Sequence, residues 1–166
     1  MRNARKVAKM LITRYKLITQ NEFGTSELML QKLMYFSQRQ SFALTGEPLF
    51  EDVFEGWKHG PVLRELRFFF DLSFEITGAE PTETEKYILD SVINEYGSYS
   101  PWALRDLTHD EISWKNSRMG LNDSDQGFRE MKLEDIQKDA EKVKIYDPLY
   151  DVYLNEFEEF TGEVFK

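Results

Sequence analysis

The chain has 166 residues, no cysteine and a formal net charge of −9. That length closes one real hydrophobic core. It carries no disulfide, no thiolate nucleophile and no Cys-based zinc site, which suits the reducing cytoplasm. An acidic chain is a poor general binder of nucleic acid, because phosphate neutralisation needs clustered Lys and Arg. No run of about eighteen apolar residues exists to span a bilayer, and the basic N-terminus lacks the apolar core of a secretory signal.

Val7, Ala8, Leu11, Ile12 and Tyr15 recur at three and four, predicting a helix over residues 3–18. The six cations of residues 1–20, from Arg2 to Lys16, meet no acid there. They read as a solvated face that complements acidic parts of the same fold, or as a phosphate-contacting surface. Thr25 or Ser26 can cap a long second helix over 28–44, with Glu27 at its positive end. The apolar arc of this helix is wide, so it is expected at the centre. Gly46 and Pro48 stop it.

Residues 49–57 read as an extended crossover with room for one short strand. Pro61 is placed as the first residue of a third helix, whose apolar face would be Val62, Leu63, Leu66, Phe69 and Phe70. Thr82 and Glu85 have capping-box spacing for a helix that ends at Gly97. Ser100-Pro101 starts a short helix through Leu104 and Leu107, residues 120–127 form a mobile polar loop, and 134–146 is helical. Asp147-Pro148 opens a last, aromatic-rich helix that closes near Gly162. The expectation is a mainly α, compact single-domain bundle of about seven or eight helices, with at most a minor short β-hairpin.

Both histidines and two of the three tryptophans fall in two segments, Trp57-Lys58-His59-Gly60-Pro61-Val62 and Leu107-Thr108-His109 with Trp114-Lys115. His59, His109, Asp110 and Glu111 suggest a metal site only loosely, since no two ligands stand at close helical spacing. There is no glycine-rich phosphate loop and no nucleophile-elbow motif. A structural role is the stronger reading. The two indoles act as core plates, His109 bonds a carbonyl near a helix end, and His59 pins the turn. Lys58 and Lys115 are expected to pair with acids such as Asp52 or Glu55.

Residues 30–62 and 104–118 together resemble the Panacea antitoxin domain, also called SocA-like or GepA-type. The resemblance rests on Leu30-Gln31-Lys32-Leu33-Met34-Tyr35-Phe36, Gly46-Glu47-Pro48-Leu49-Phe50 and the Trp57 to Val62 segment. A second block, Leu107-Thr108-His109, Trp114-Lys115 and Arg118, completes it. Many relatives have Gly-Pro before the second Trp, where this chain reads Asp110-Glu111-Ile112-Ser113. The motif positions are Lys32, Tyr35, Trp57, Lys58, His59, Gly60, Pro61, Thr108, His109, Trp114, Lys115 and Arg118.

The resemblance implies a non-catalytic antitoxin of a bacterial or prophage pair that binds a toxin encoded beside it. It requires no cofactor and no metal. The family shields against unrelated toxins, including tRNA-modifying enzymes related to alarmone synthetases. The alternatives are an adaptor delivering its partner to a cellular protease and, ranking lower, a DNA-binding regulator of its operon. Self-association stays open. The shared domain is expected over 1–145, with 146–166 an acidic aromatic extension. There Tyr150, Tyr153, Phe157 and Phe160 share a helical face beside Glu158 and Glu159. This stripe either packs on the domain or meets the toxin, where aromatic anchors with a charged rim suit recognition.

Overall fold

The computed structural model describes residues 2–143. Six helices and one two-stranded hairpin make up this part: α1 (Ala4–Thr19), α2 (Glu27–Thr45), β1 (Glu55–Trp57), β2 (Gly60–Val62), α3 (Glu83–Tyr96), α4 (Pro101–Thr108), α5 (Ile112–Ser117) and α6 (Leu133–Ala140). The mainly α expectation holds. The helix expected after Asp147 lies outside the described residues.

Local signals set most boundaries. Asn3 and Ser26 accept the N–H groups of Lys6 and Met29 at the starts of α1 and α2. Gly46 closes α2 in the left-handed conformation. Thr82 and Glu85 form the reciprocal capping box of α3. Ser100 caps α4, with Pro101 in its first turn.

Helix α2 is the axis of the fold and touches α1, α3, α4 and α6. Every residue from 29 to 42 is buried, including Gln31, Lys32, Gln38, Arg39 and Gln40. A helix buried all round needs partners for such polar groups, and two glutamines find them in irregular backbone. Gln38 accepts from Leu49 N at 2.7 Å and donates to Phe50 O at 3.2 Å. Gln31 accepts from Leu63 N at 2.8 Å and donates to Leu63 O at 3.0 Å. Each amide side chain thus imitates a strand neighbour and docks a crossover segment onto the helix.

The Gln31 contact explains one correction. No helix starts at Pro61. Pro61 lies in β2 opposite Gly56, and Leu63 spends its backbone groups on Gln31. Only a 3-10 turn, Arg64–Leu66, follows. The apolar residues still point inward, with Val62, Leu63 and Leu66 buried and Phe69 and Phe70 packed against the core. Burial without helical hydrogen bonding gave the same apolar spacing. Helix α6 is also shorter than expected; Ile136 and Ala140 are buried, while Val143 is only half-buried and lies beyond the helix end.

The basic face of α1 is used within the fold. Arg2 pairs with Glu85 and donates to the carbonyls of Gly78 and Glu80. Arg5 bonds Glu65 O and covers the Phe74 ring, and Lys9 reaches Ile76 O. Arg14 pairs with Asp90, and Lys16 with Glu22. These cations strap the segment 65–80 and α3 onto α1, which leaves little of the face for phosphate.

Candidate functional site

The two motif segments meet across the hairpin. Trp57 pairs with Gly60, so Lys58 and His59 form a two-residue turn at the tip. Gly60 has φ +105, and a Cβ there would lie 2.6 Å from Thr108 Oγ1 and 2.8 Å from Lys32 Cε. Both the conformation and the close approach call for glycine. Beneath the turn, Lys32 is 1% exposed and donates from Nζ to Pro61 O at 2.7 Å. Burial drives its pKa from 10.5 down to about 7, against the pull of Glu27 and helped by Arg105 and Arg67. Thr108, fully buried, donates to Arg105 O.

The second block clasps the first. Trp114 donates its indole N–H to Trp57 O at 2.8 Å and stacks on His109 at 3.8 Å between ring centroids. His109 caps the C-terminal end of α4 through its backbone N–H, not its ring. Its buried Nε2 has no hydrogen-bond partner among the described residues. Burial, with Arg105 close by, lowers its pKa from 6.5 to about 4, so the ring is neutral at pH 7. The carbonyl-bonding imidazole expected from the sequence is therefore replaced by a neutral stacking plate.

His59 is exposed. It accepts at Nδ1 from Arg105 Nε at 3.2 Å and meets the Trp102 ring edge-on. Burial first, then Arg105, Lys58 and Lys32, lower its pKa. Asp52 and Glu55 are engaged away from the motif lysines. Asp52 accepts from Ala4 N, while Glu55 accepts from the Trp57 indole and pairs with Arg64. Lys115 is exposed. Among the described residues, no three His, Asp or Glu side chains cluster to hold a metal ion.

Arg118 changes the picture of the polar loop. It is buried beside Trp114 and donates to four carbonyls: Gly56 (3.1 Å), Gln126 (3.0 Å), Asn122 (3.1 Å) and Asp125 (2.5 Å). One guanidinium fork thus ties the segment 122–126 to β1, where an untethered loop was expected. Residues 129–131 then run beside β1, with Gly56 N bonded to Arg129 O and Met131 N to Phe54 O. Replacing Arg118 with alanine is expected to raise amide hydrogen exchange across 122–131 at least tenfold, since about 1.4 kcal/mol of lost local stability suffices. Lysine, lacking the fork, should not restore protection. Unchanged exchange in both variants would show that the loop is held otherwise.

A second polar cluster lies behind α5, and the motif reading saw only Tyr35 of it. Tyr35 is fully buried and bonds Ser113 Oγ and Asp139 Oδ2, each at 3.0 Å. Asp139, also fully buried, accepts from Ile112 N at 2.8 Å and Ser113 N at 2.9 Å. Helix α5 has no side-chain cap of its own; a carboxylate from α6 supplies it. Glu111 turns inward to pair with the buried Arg39, which also donates to Tyr96 OH at 2.7 Å, and Lys142 closes on Glu111 at 2.6 Å. The signal for this cluster in sequence was faint: one arginine inside an apolar helix and acids at helix edges, which ordinarily face water.

Between the N-terminal half of α2, the hairpin and the segment 67–71 lies a cleft of about 420 Å³, with Lys32 and Gln31 on its floor and Trp57, His59, Arg67 and Phe68 around it. Trp57 is half-buried, its ring flanked by Arg67 at 5.2 Å and Arg64 at 5.7 Å and touched edge-on by Phe128.

Fold and site together define a small helical domain whose buried polar residues brace a hairpin. Residues 30–115, just over half of the chain, match the family described as Antitoxin SocA-like, Panacea domain. The chain belongs to this antitoxin family. No curated protein and no solved structure matches it. The matched segment carries the hairpin, most of the cleft lining and both tryptophan blocks as far as Lys115; Arg118 and Asp139 lie beyond it. No helix among the described residues is long and apolar enough to cross a membrane.

Proposed function

We propose that this chain neutralises a cognate protein toxin, encoded beside it in a bacterial or prophage pair, by binding it directly in the cytoplasm and doing no chemistry of its own. The family membership gives the antitoxin role. One observation carries the rest: three motif side chains that chemistry would need free are spent on the chain's own backbone. Lys32 holds Pro61 O, Trp114 holds Trp57 O and Arg118 holds four carbonyls. Side chains so committed shape a surface; they do not present a nucleophile and base to a substrate. The engagement of the α1 cations disfavours operator DNA as the partner.

Tyr150, Tyr153, Phe157, Phe160, Glu158 and Glu159, the toxin contacts suggested by the sequence, lie outside the described residues. They remain part of the proposal as an auxiliary contact. Deleting 147–166 should weaken toxin binding while the domain stays folded; unchanged affinity would remove the tail from the interface.

The decisive assay is co-expression with the adjacent gene product. Growth rescue and co-purification as a stoichiometric complex are expected. Rescue should persist in a protease-deficient host, because masking needs no degradation. Rescue that vanishes there would replace masking by adaptor-mediated proteolysis, and absence of both rescue and complex would overturn the proposal.

A further inference from the structure

Phe68 stands in a conformation that its residue type disfavours. Its φ is +61, in the left-handed region where bulky side chains are rare and glycine or asparagine is usual. Glu27 enforces it, accepting from Phe68 N at 2.6 Å while also pairing with Arg67. The ring gains little burial in return, since Phe68 is 53% exposed. Folding alone would be served better by glycine. Strain retained around an exposed aromatic ring points to a use for the ring itself.

The surroundings say what that use is. Phe68 lies on the rim of the cleft that Trp57 also lines, with the Arg67 guanidinium 4.9 Å from its ring centroid. Two aromatic residues around a concave space suit one large apolar side chain, the arrangement in which a few residues dominate protein recognition. The cleft's two sides differ in charge. Toward the 67–71 segment, Glu27 is neutralised by Arg67, and Asp71 adds an acid. At the hairpin tip, His59 stands among cations, with Lys58 beside it in the turn and Arg105 bonded to its ring. A carboxylate fits that end.

We propose that Phe68 and Trp57 are the anchoring walls of the toxin-docking cleft, which takes an apolar side chain flanked by an acidic residue lying toward Lys58 and His59. This inference rests on the antitoxin reading and names the surface that would serve it. The whole cleft except Glu27, Leu28 and Gln126 falls within the family-matched segment.

The test uses the full chain and the purified product of the adjacent gene. Phe68→Gly should fold with an unchanged or higher melting midpoint, because glycine adopts the same backbone without strain. Its affinity for the toxin should fall roughly tenfold or more, as for an aromatic anchor. Lys58→Glu, at the exposed turn, should slow association and flatten its salt dependence. Wild-type affinity in Phe68→Gly would overturn the inference and leave the antitoxin reading standing. So would a lowered midpoint in that variant, which would make Phe68 a packing residue. No complex with the wild-type chain would overturn the antitoxin reading and the inference together.

Discussion

Replacing Asp139 with alanine is expected to lower folding stability by about 3–5 kcal/mol, the range for breaking a buried, multiply bonded carboxylate. Three donors lose their acceptor at once: the Tyr35 hydroxyl and the N–H groups of Ile112 and Ser113. Two of them sit where water does not reach readily, since Tyr35 and Ser113, like Asp139 itself, are at 0% exposure, whereas Ile112 is exposed. Denaturant unfolding of the variant measures the loss. Asparagine, which keeps an acceptor oxygen but no charge, should fall between. A loss below about 1 kcal/mol would mean that α5 is capped adequately without it.

The same carboxyl sets an acid limit. Burial alone would raise its pKa, but its contact with the Glu111 carboxyl and the hydrogen bonds it accepts from Ser113 and Ile112 outweigh burial and lower it from 3.8. A depressed carboxyl contributes stability above its unfolded value and loses it as pH falls through the folded one. Asp139 therefore supports the fold throughout the neutral range and loses that contribution only below the ordinary carboxylate range. Glu111 leans the other way, pushed up by burial against the pull of Arg39.

Lys32 should make stability rise with pH on the alkaline side. Its folded pKa is about 7, while in the open chain it returns toward 10.5. Between those values the unfolded state binds more protons, so unfolding becomes harder as pH increases, by up to about 1.4 kcal/mol per pH unit. From pH 7 to 9 the wild type should gain about 2 kcal/mol relative to Lys32→Met, which carries no titrating group. The neutral amine can still donate to Pro61 O, so the hairpin keeps its anchor while the cost of burying charge disappears. Parallel denaturation series at several pH values decide the matter. A constant difference would show that the ammonium is solvated from the cleft.

How far the sequence reveals this molecule depends on whether a signal is local. Helix α3 was legible to the residue, because Thr82 and Glu85 are three apart and cap each other. The centrality of α2 followed from its wide apolar arc. The 62–70 segment misled because Val62, Leu63 and Leu66 show the spacing of a buried helix face, yet Gln31 claims the backbone of Leu63 from across the fold. Helix α5 went unseen for a related reason: its cap comes from Asp139, twenty-six positions beyond Ser113 in the chain. The hairpin residues Trp57, Gly60 and Pro61 stood out by type, but not the carbonyls that Lys32, Trp114 and Arg118 would seek. Sequence shows which side chains are costly, and only tertiary structure shows whose backbone they satisfy.

That Asp139 lies on α6 bears on how this lineage can be cut and recombined. The recognisable stretch stops at Lys115, yet its closing helix begins on a borrowed acceptor and its buried arginine neutralises an acid that a later lysine also grips. A fragment trimmed to the shared stretch would expose those donors to solvent and forfeit the strap that Arg118 draws across β1. Grafts between relatives should therefore travel with their downstream helix, because the contacts that hold the matched stretch reach past its end.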